Sequence, residues 1–159
     1  MENKLLTKDE VGEIGYDYSD LEMAPPDDVL FITEGDSMDD WVPVTGVVYD
    51  LDDDGETLLY YGEYESGLPH GISVDFHSNG RLKRKCHIFH GAIHGEDQQW
   101  DAEGKLVFQG EHVHGVLAWY KKWNSAGELI EQQKEPADDM LNLIETQRKF
   151  YENRDWNLR

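Results

Sequence analysis

Four segments of the chain place their apolar residues alike when aligned on their glycines: GVVYDLDDDGETL from Gly46, GISVDFHSNGRL from Gly71, GEDQQWDAEGKL from Gly95 and AWYKKWNSAGEL from Ala118. Their starts step by 25, 24 and 23 residues. Each has a glycine nine residues after its start, at Gly55, Gly80, Gly104 and Gly127, preceded by Asp54, Asn79, Glu103 or Ala126. Glycine takes positive φ freely and Asn or Asp tolerates it, so Asp-Gly and Asn-Gly are strong hairpin signals and each unit is predicted to turn there. Leu51, Phe76, Trp100 and Trp123 stand four residues before these glycines, and Leu82, Leu106 and Leu129 follow two after three of them. These are the expected inward positions of two flanking strands, with the alternate residues facing solvent. A second glycine, Gly67, Gly91 or Gly115, marks the return to the next unit. Units this short cannot bury their own apolar faces, so they are expected to stack into an elongated antiparallel sheet with two open ends that need covering.

The ends of the chain follow other patterns. After Pro136, helical spacing puts Met140, Leu143, Ile144, Gln147, Phe150 and Tyr151 near one face, which Leu141 broadens. Asp138 and Asp139 in the first turn and Arg148 and Lys149 later suit the helix dipole, so a C-terminal helix packed on the last hairpin is expected. In the first 45 residues Pro25-Pro26 breaks the pattern, VLFIT from Val29 to Thr33 reads as one strand, and the rest reads as loop. The predicted class is therefore mainly β: one folded domain of stacked antiparallel β-hairpins with a C-terminal α-helix cap. Residues 1–45 form an acidic segment capping the repeats, 46–135 four hairpin repeats and 136–159 the helix.

Charge narrows the function. The 159 residues carry 34 Asp and Glu against 14 Lys and Arg, a net charge of -20. The first 70 residues hold 20 of the acids and only two bases, whereas residues 71–94 hold one acid and four bases. Nucleic-acid binders need Lys and Arg to displace counterions from phosphates, and anionic lipid is disfavoured by the same sign. A basic partner fits the field of such a chain. The aromatic share of 11% points to an ordered domain. The one cysteine, Cys86, excludes an intramolecular disulfide and a thiolate-rich zinc site. MENKLLTKDEVGEIG lacks the apolar core of a secretory signal, and there is no run of 18 apolar residues, so a cytoplasmic protein is expected.

The stretch YYGEYESGLPHG resembles the MORN-repeat pattern, with Tyr60, Gly62, Tyr64, Gly67, His70 and Gly71 filling its aromatic, glycine and His-Gly places. The next unit keeps Gly91, His94 and Gly95 but has Arg84, Cys86 and Ile88 where the pattern has Tyr, Gly and an aromatic. The third keeps Phe108, Gly110 and Gly115, and Ala118 replaces the last glycine. The resemblance covers roughly Gly46 to Gln133 as a degenerate variant of the repeat. Many-repeat scaffolds of that family have basic surfaces, unlike this chain. Short bacterial variants resemble immunity or antitoxin proteins against polymorphic and contact-dependent inhibition toxins. The resemblance thus implies a cytoplasmic immunity protein that binds a cognate toxin domain, a basic nuclease or other nucleic-acid-directed enzyme. The alternative it implies is a non-catalytic scaffold or adaptor that binds another protein, for example along a strand edge.

The remaining chemistry reads as structural. Asp50, Asp52, Asp54 and Gly55 form D-x-D-x-D-G, the opening of a calcium loop, but Tyr61 stands where an EF-hand needs Glu and Gly55 is already the turn of the repeat. His87, His90 and His94, with His112 and His114, have spacings that alternate faces on a strand, so no metal or cofactor is assigned to them. For a Cys-His hydrolase using Cys86 the chain offers no glycine elbow or oxyanion-hole signature, so no enzyme is expected. Arg81, Lys83, Arg84 and Lys85 are read as pairing with a neighbouring acidic unit. The expected partner-binding residues are Asp50, Asp52, Asp53, Asp54, Glu56, Glu63 and Glu65 as steering charges. Trp41 and Tyr49 are the expected anchors, while Tyr60 and Tyr64 are assigned more to the core.

Overall fold

The structure is a computed structural model that describes residues 4–156, so the outermost residues of the expected first and last segments, 1–3 and 157–159, lie outside it. Helix α1 (Lys8–Ile14) precedes four short strands, β1 (Tyr16–Asp17), β2 (Glu22–Ala24), β3 (Val29–Thr33) and β4 (Trp41–Pro43). Eight longer strands follow: β5 (Gly46–Leu51), β6 (Leu58–Glu65), β7 (Leu68–Phe76), β8 (Leu82–Phe89), β9 (Ala92–Trp100), β10 (Leu106–Val113), β11 (Val116–Trp123) and β12 (Leu129–Gln133). Helix α2 (Asp138–Asn153) comes last. The main sheet has nine strands in the order β1-β5-β6-β7-β8-β9-β10-β11-β12, and β2-β3-β4 form a second, three-stranded sheet. Every pairing in the main sheet is antiparallel except β1 with β5. The expected class, mainly β with stacked antiparallel hairpins and a C-terminal helix, is the one observed.

All seven glycines assigned to turns lie at positive φ, between 68° and 91°. The tightest turns are the returns. Ser66-Gly67, His90-Gly91 and His114-Gly115 each have positive φ at both residues, the signature of a two-residue type I′ turn. Gly55, Gly80, Gly104 and Gly127 instead sit in wider loops closed by bonds such as His77 N–H to Arg81 C=O at 2.8 Å and Asp101 N–H to Lys105 C=O at 2.9 Å. Asx contacts shape these loops, as where the Asp101 carboxylate accepts the Glu103 and Lys105 amides. In each of these hairpins the register shifts by one near the loop, as expected of a glycine bulge after a type I turn.

The first 45 residues depart from the expected loop. VLFIT is a strand as predicted, but β2 and β4 flank it, α1 and β1 lie on β5, and together these elements cover both faces of the β5–β6 hairpin. Alternation along Val47-Val48-Tyr49 explains how. Val47 and Tyr49 join α1 through the Val11–Tyr61–Val74 cluster on one face, while Val48 packs with Leu30, Val44 and Tyr64 on the other. Two-sided burial accounts for the apolar character of this hairpin beside the Gln- and Lys-rich later strands. Helix α1 carried a legible signal, the capping box Thr7-x-x-Glu10: the Thr7 hydroxyl accepts the Glu10 amide and the Glu10 carboxylate accepts the Thr7 amide. Lys4 and those Thr7 contacts hold the Glu10 carboxyl down to about 2.

Helix α2 lies on β10 and β11, where Ile144 and Met140 meet Val113, Val116 and Ala118. Its buried seam is narrower than the predicted stripe: Met140, Ile144, Gln147 and Tyr151 face inward, while Leu141, Leu143 and Phe150 are exposed. The helix rests on a sheet face, so β12 remains the outer strand of the order, and Leu129, expected to point inward, is 46% exposed.

Candidate functional site

The acidic residues expected to bind a partner fall into two groups. Asp50, Asp52, Asp53, Asp54 and Glu56 cluster at the β5–β6 loop, whereas Glu65 ends β6 on the opposite side of the sheet, about 23 Å away at ~3.3 Å per strand residue. Several also have local work. Asp54 accepts the Glu56 and Thr57 amides and the Thr57 hydroxyl, and those bonds lower its pKa. Asp52 accepts the Asp53 amide, and Glu56 pairs with Lys8. Glu63 is exposed on β6 and accepts the Ile72 amide at 2.8 Å. Asp52 and Asp54 are thus engaged in making the turn.

The aromatic assignments divide too. Tyr49 is half-buried and packs against the α1 cluster. Trp41 is half-buried in the small sheet, 5.8 Å from the Phe31 ring. Tyr60 and Tyr64 touch through their hydroxyls at 3.4 Å, and burial pushes both phenols up. The Tyr60 ring lies over Gly62 so closely that a β-carbon there would meet its hydroxyl at 2.1 Å. Close approach of an aromatic thus requires glycine two residues later.

The exposed surface of this half is acidic. Asp27, Asp28, Glu34, Asp36, Asp39 and Asp40 are exposed around the small sheet, and no Lys or Arg occurs between Lys8 and Arg81. Lys4 and Lys8 are spent on Glu10 and Glu56. Farther along, two residues of the basic run reach the following unit: Arg81 donates to the Ala102 and Glu103 carbonyls, and Arg84 binds Asp97.

The return-turn edge carries a latch that sequence reasoning missed. The residue before each of the first three unit starts accepts the amide of the first residue of the next return turn: Thr45 Oγ1 from Ser66 at 3.0 Å, His70 Nδ1 from His90 at 3.2 Å and His94 Nδ1 from His114 at 3.0 Å. The turn glycine bonds beside it, Gly67 to Val44 C=O, Gly91 to Pro69 C=O and Gly115 to Ile93 C=O. The spacings 45/66, 70/90 and 94/114 were the available signal. Between the histidines and α2 runs a stacked series of rings: His94–His114 at 4.2 Å, His114–Tyr151 at 4.3 Å, Tyr151–Trp156 at 5.3 Å and Trp156–His90 at 4.0 Å. A cavity of about 420 Å³ opens there, lined by Glu65, Ser66, His70, Phe89, His90 and Trp156.

His87, by contrast, is exposed on β8, so the H-x-x-H-x-x-x-H run does not converge. Burial lowers the His114 pKa, and the nearby His94 and Arg148 lower it further, outweighing Glu152. A lowered histidine pKa means the unfolded chain takes up the proton first. The stability it contributes is therefore present above the ordinary value of 6.5 and is lost as pH falls through the folded value. Thermal unfolding followed from pH 7.5 to 5.5 is expected to show a falling midpoint, and H114N is expected to flatten that slope.

Near the sheet centre, Asp97 is 1% exposed and accepts from Arg84 at 2.9 and 2.7 Å and from His112 Nε2 at 3.2 Å. Burial acts to raise its pKa, but the bonds from His112 and Arg84 prevail and lower it. Cys86, opposite Asp97 on β8, is buried and its thiol is pushed up to about 11, which leaves it protonated and unreactive at neutral pH. No helix among the described residues is long and apolar enough to cross a membrane. Comparison with family models, curated proteins and solved structures finds no match to this chain.

Proposed function

We propose that this protein is a cytoplasmic, non-catalytic binder of the immunity or antitoxin type. It holds a basic toxin domain, a nuclease or other nucleic-acid-directed enzyme, against its acidic end and blocks the active site by occlusion. The observation that carries this reading is the exposed acidic half whose only two cations, Lys4 and Lys8, are already paired. Such a surface speeds encounter with a cationic protein and repels polyanions. The resemblance to short variant-MORN proteins supports the same class. The test is capture from native lysate at low salt, identification of the retained protein, and assay of its activity with and without this chain. A basic enzyme inhibited at one-to-one stoichiometry supports the reading; a retained enzyme that keeps full activity contradicts it.

The contribution of the β5–β6 loop is separable. Reversal at Asp50 and Asp53, which spares the turn-forming Asp54, is expected to slow association about tenfold at low salt and to leave dissociation nearly unchanged. Equal association rates would remove this loop from the binding surface. A second reading, a scaffold that pairs with a partner strand, is favoured by β12, an outer strand with Ile130 62% exposed.

A further inference from the structure

We propose that Glu65, His70 and His90 form a binding site for a zinc-like divalent transition-metal ion, a site independent of the toxin-binding reading. One donor atom from each residue lies within 4.8 Å of the other two, and Glu65 Oε2 is 3.5 Å from His70 Nε2. Two imidazoles and one carboxylate suit zinc, cobalt or nickel and do not suit calcium or magnesium, which take oxygen ligands. A tetrahedral ion with bonds of about 2.0–2.1 Å needs donors about 3.3 Å apart, so the site must close slightly. The cavity of about 420 Å³ leaves room for a water or partner side chain at the fourth position.

Two features set this place apart from the rest of the repeat. The residues equivalent to Glu65 before the other return turns are Phe89 and Val113, so the stacked pair His94–His114 has the same latch without a carboxylate. His90 is further oriented by its stack on Trp156, with the rings 4° from parallel. Metal at His70 Nε2 has a cost. His70 Nδ1 accepts the His90 amide, so the neutral ring carries its proton on Nε2. That proton must move to Nδ1 when the ion binds, and the latch bond to His90 is given up in exchange for the metal–nitrogen bond. No net proton is released from the ring.

The test is titration of the full chain with zinc by calorimetry and with cobalt by visible absorption. One ion per chain is expected, with tetrahedral cobalt bands and a shift of the His90 amide resonance. E65Q and H90G are each expected to weaken binding at least about tenfold, the scale of losses at metal sites. H90G keeps a residue suited to φ 44°, and E65Q preserves volume, so neither depends on the other to remain folded. H114G, at the turn lacking a carboxylate, is expected to bind as the unaltered chain does. Absence of stoichiometric binding would overturn the site, as would binding that E65Q and H90G leave unchanged, which would place the ion among the N-terminal acids.

Discussion

Asp97→Ala is expected to destabilise the protein by about 3–5 kcal/mol, the cost of removing one partner from a buried ion pair. The carboxylate is 1% exposed and is the shared acceptor for Arg84 and His112. Its removal strands a guanidinium that is itself two-thirds covered and a histidine whose Nδ1 is buried without a partner. Urea unfolding of D97A measures the effect. A loss below about 1 kcal/mol, the range of exposed pairs, would show that water reaches this cluster. The lowered pKa adds a pH signature. Stability from a depressed carboxyl is present above the ordinary aspartate value of 3.8 and lost as pH falls through the folded value. The D97A penalty is therefore expected to shrink below about pH 3.8.

Gly67→Ala is expected to cost about 3 kcal/mol or more, combining a strained backbone with overpacking. Gly67 lies at φ 80°, and a β-carbon there would meet Val29 Cγ1 at 2.3 Å and the Leu30 carbonyl at 2.7 Å. Its own N–H bonds Val44 C=O at 2.7 Å and its C=O accepts the Leu30 amide at 2.9 Å, so this turn fastens the small sheet to the large one. Gly80 is the control: it has φ 82°, yet an added methyl would meet nothing within 4 Å. G80A is expected to lose only about 1–2 kcal/mol, the left-handed backbone penalty. Equal melting temperatures for the two variants would contradict the clamp. Loss of amide protection in β2–β4 in G67A alone would locate it.

Much of the architecture was legible because glycine marks its turns. Gly55, Gly80, Gly104 and Gly127, with Gly67, Gly91 and Gly115, locate the hairpins, and the strands follow from the intervals between them. Which turns were tight was harder to read, since Ser66, His90 and His114 take positive φ against their usual preference and are held there by amide bonds to the preceding unit. The fold of the first 45 residues was hidden because their short strands gain stability only by covering β5 and β6. Leu129 and Leu143 read as inward by period alone, yet both are exposed, because period marks a face and not what covers it. At the return edge, Glu65 and His70 are joined by one turn, but His90 reaches them only through the stacking register of the next hairpin. Of the seven acids singled out for steering, the Asp50–Glu56 group stands at one end of the β5–β6 hairpin and Glu65 at the other end of β6.

In the proposed function, the acidic N-terminal end is the surface that meets a basic partner. The most direct measurement is the association rate of the captured partner with the unaltered chain and with D50K/D53K, across ionic strengths from about 20 to 500 mM. At low salt the Debye length exceeds about 20 Å and steering acts fully; at high salt it is only a few ångströms. The rate is expected to fall steeply with salt for the unaltered chain and less steeply for the variant, with convergence at high salt. Association that is independent of salt, or equally dependent in both proteins, would contradict it.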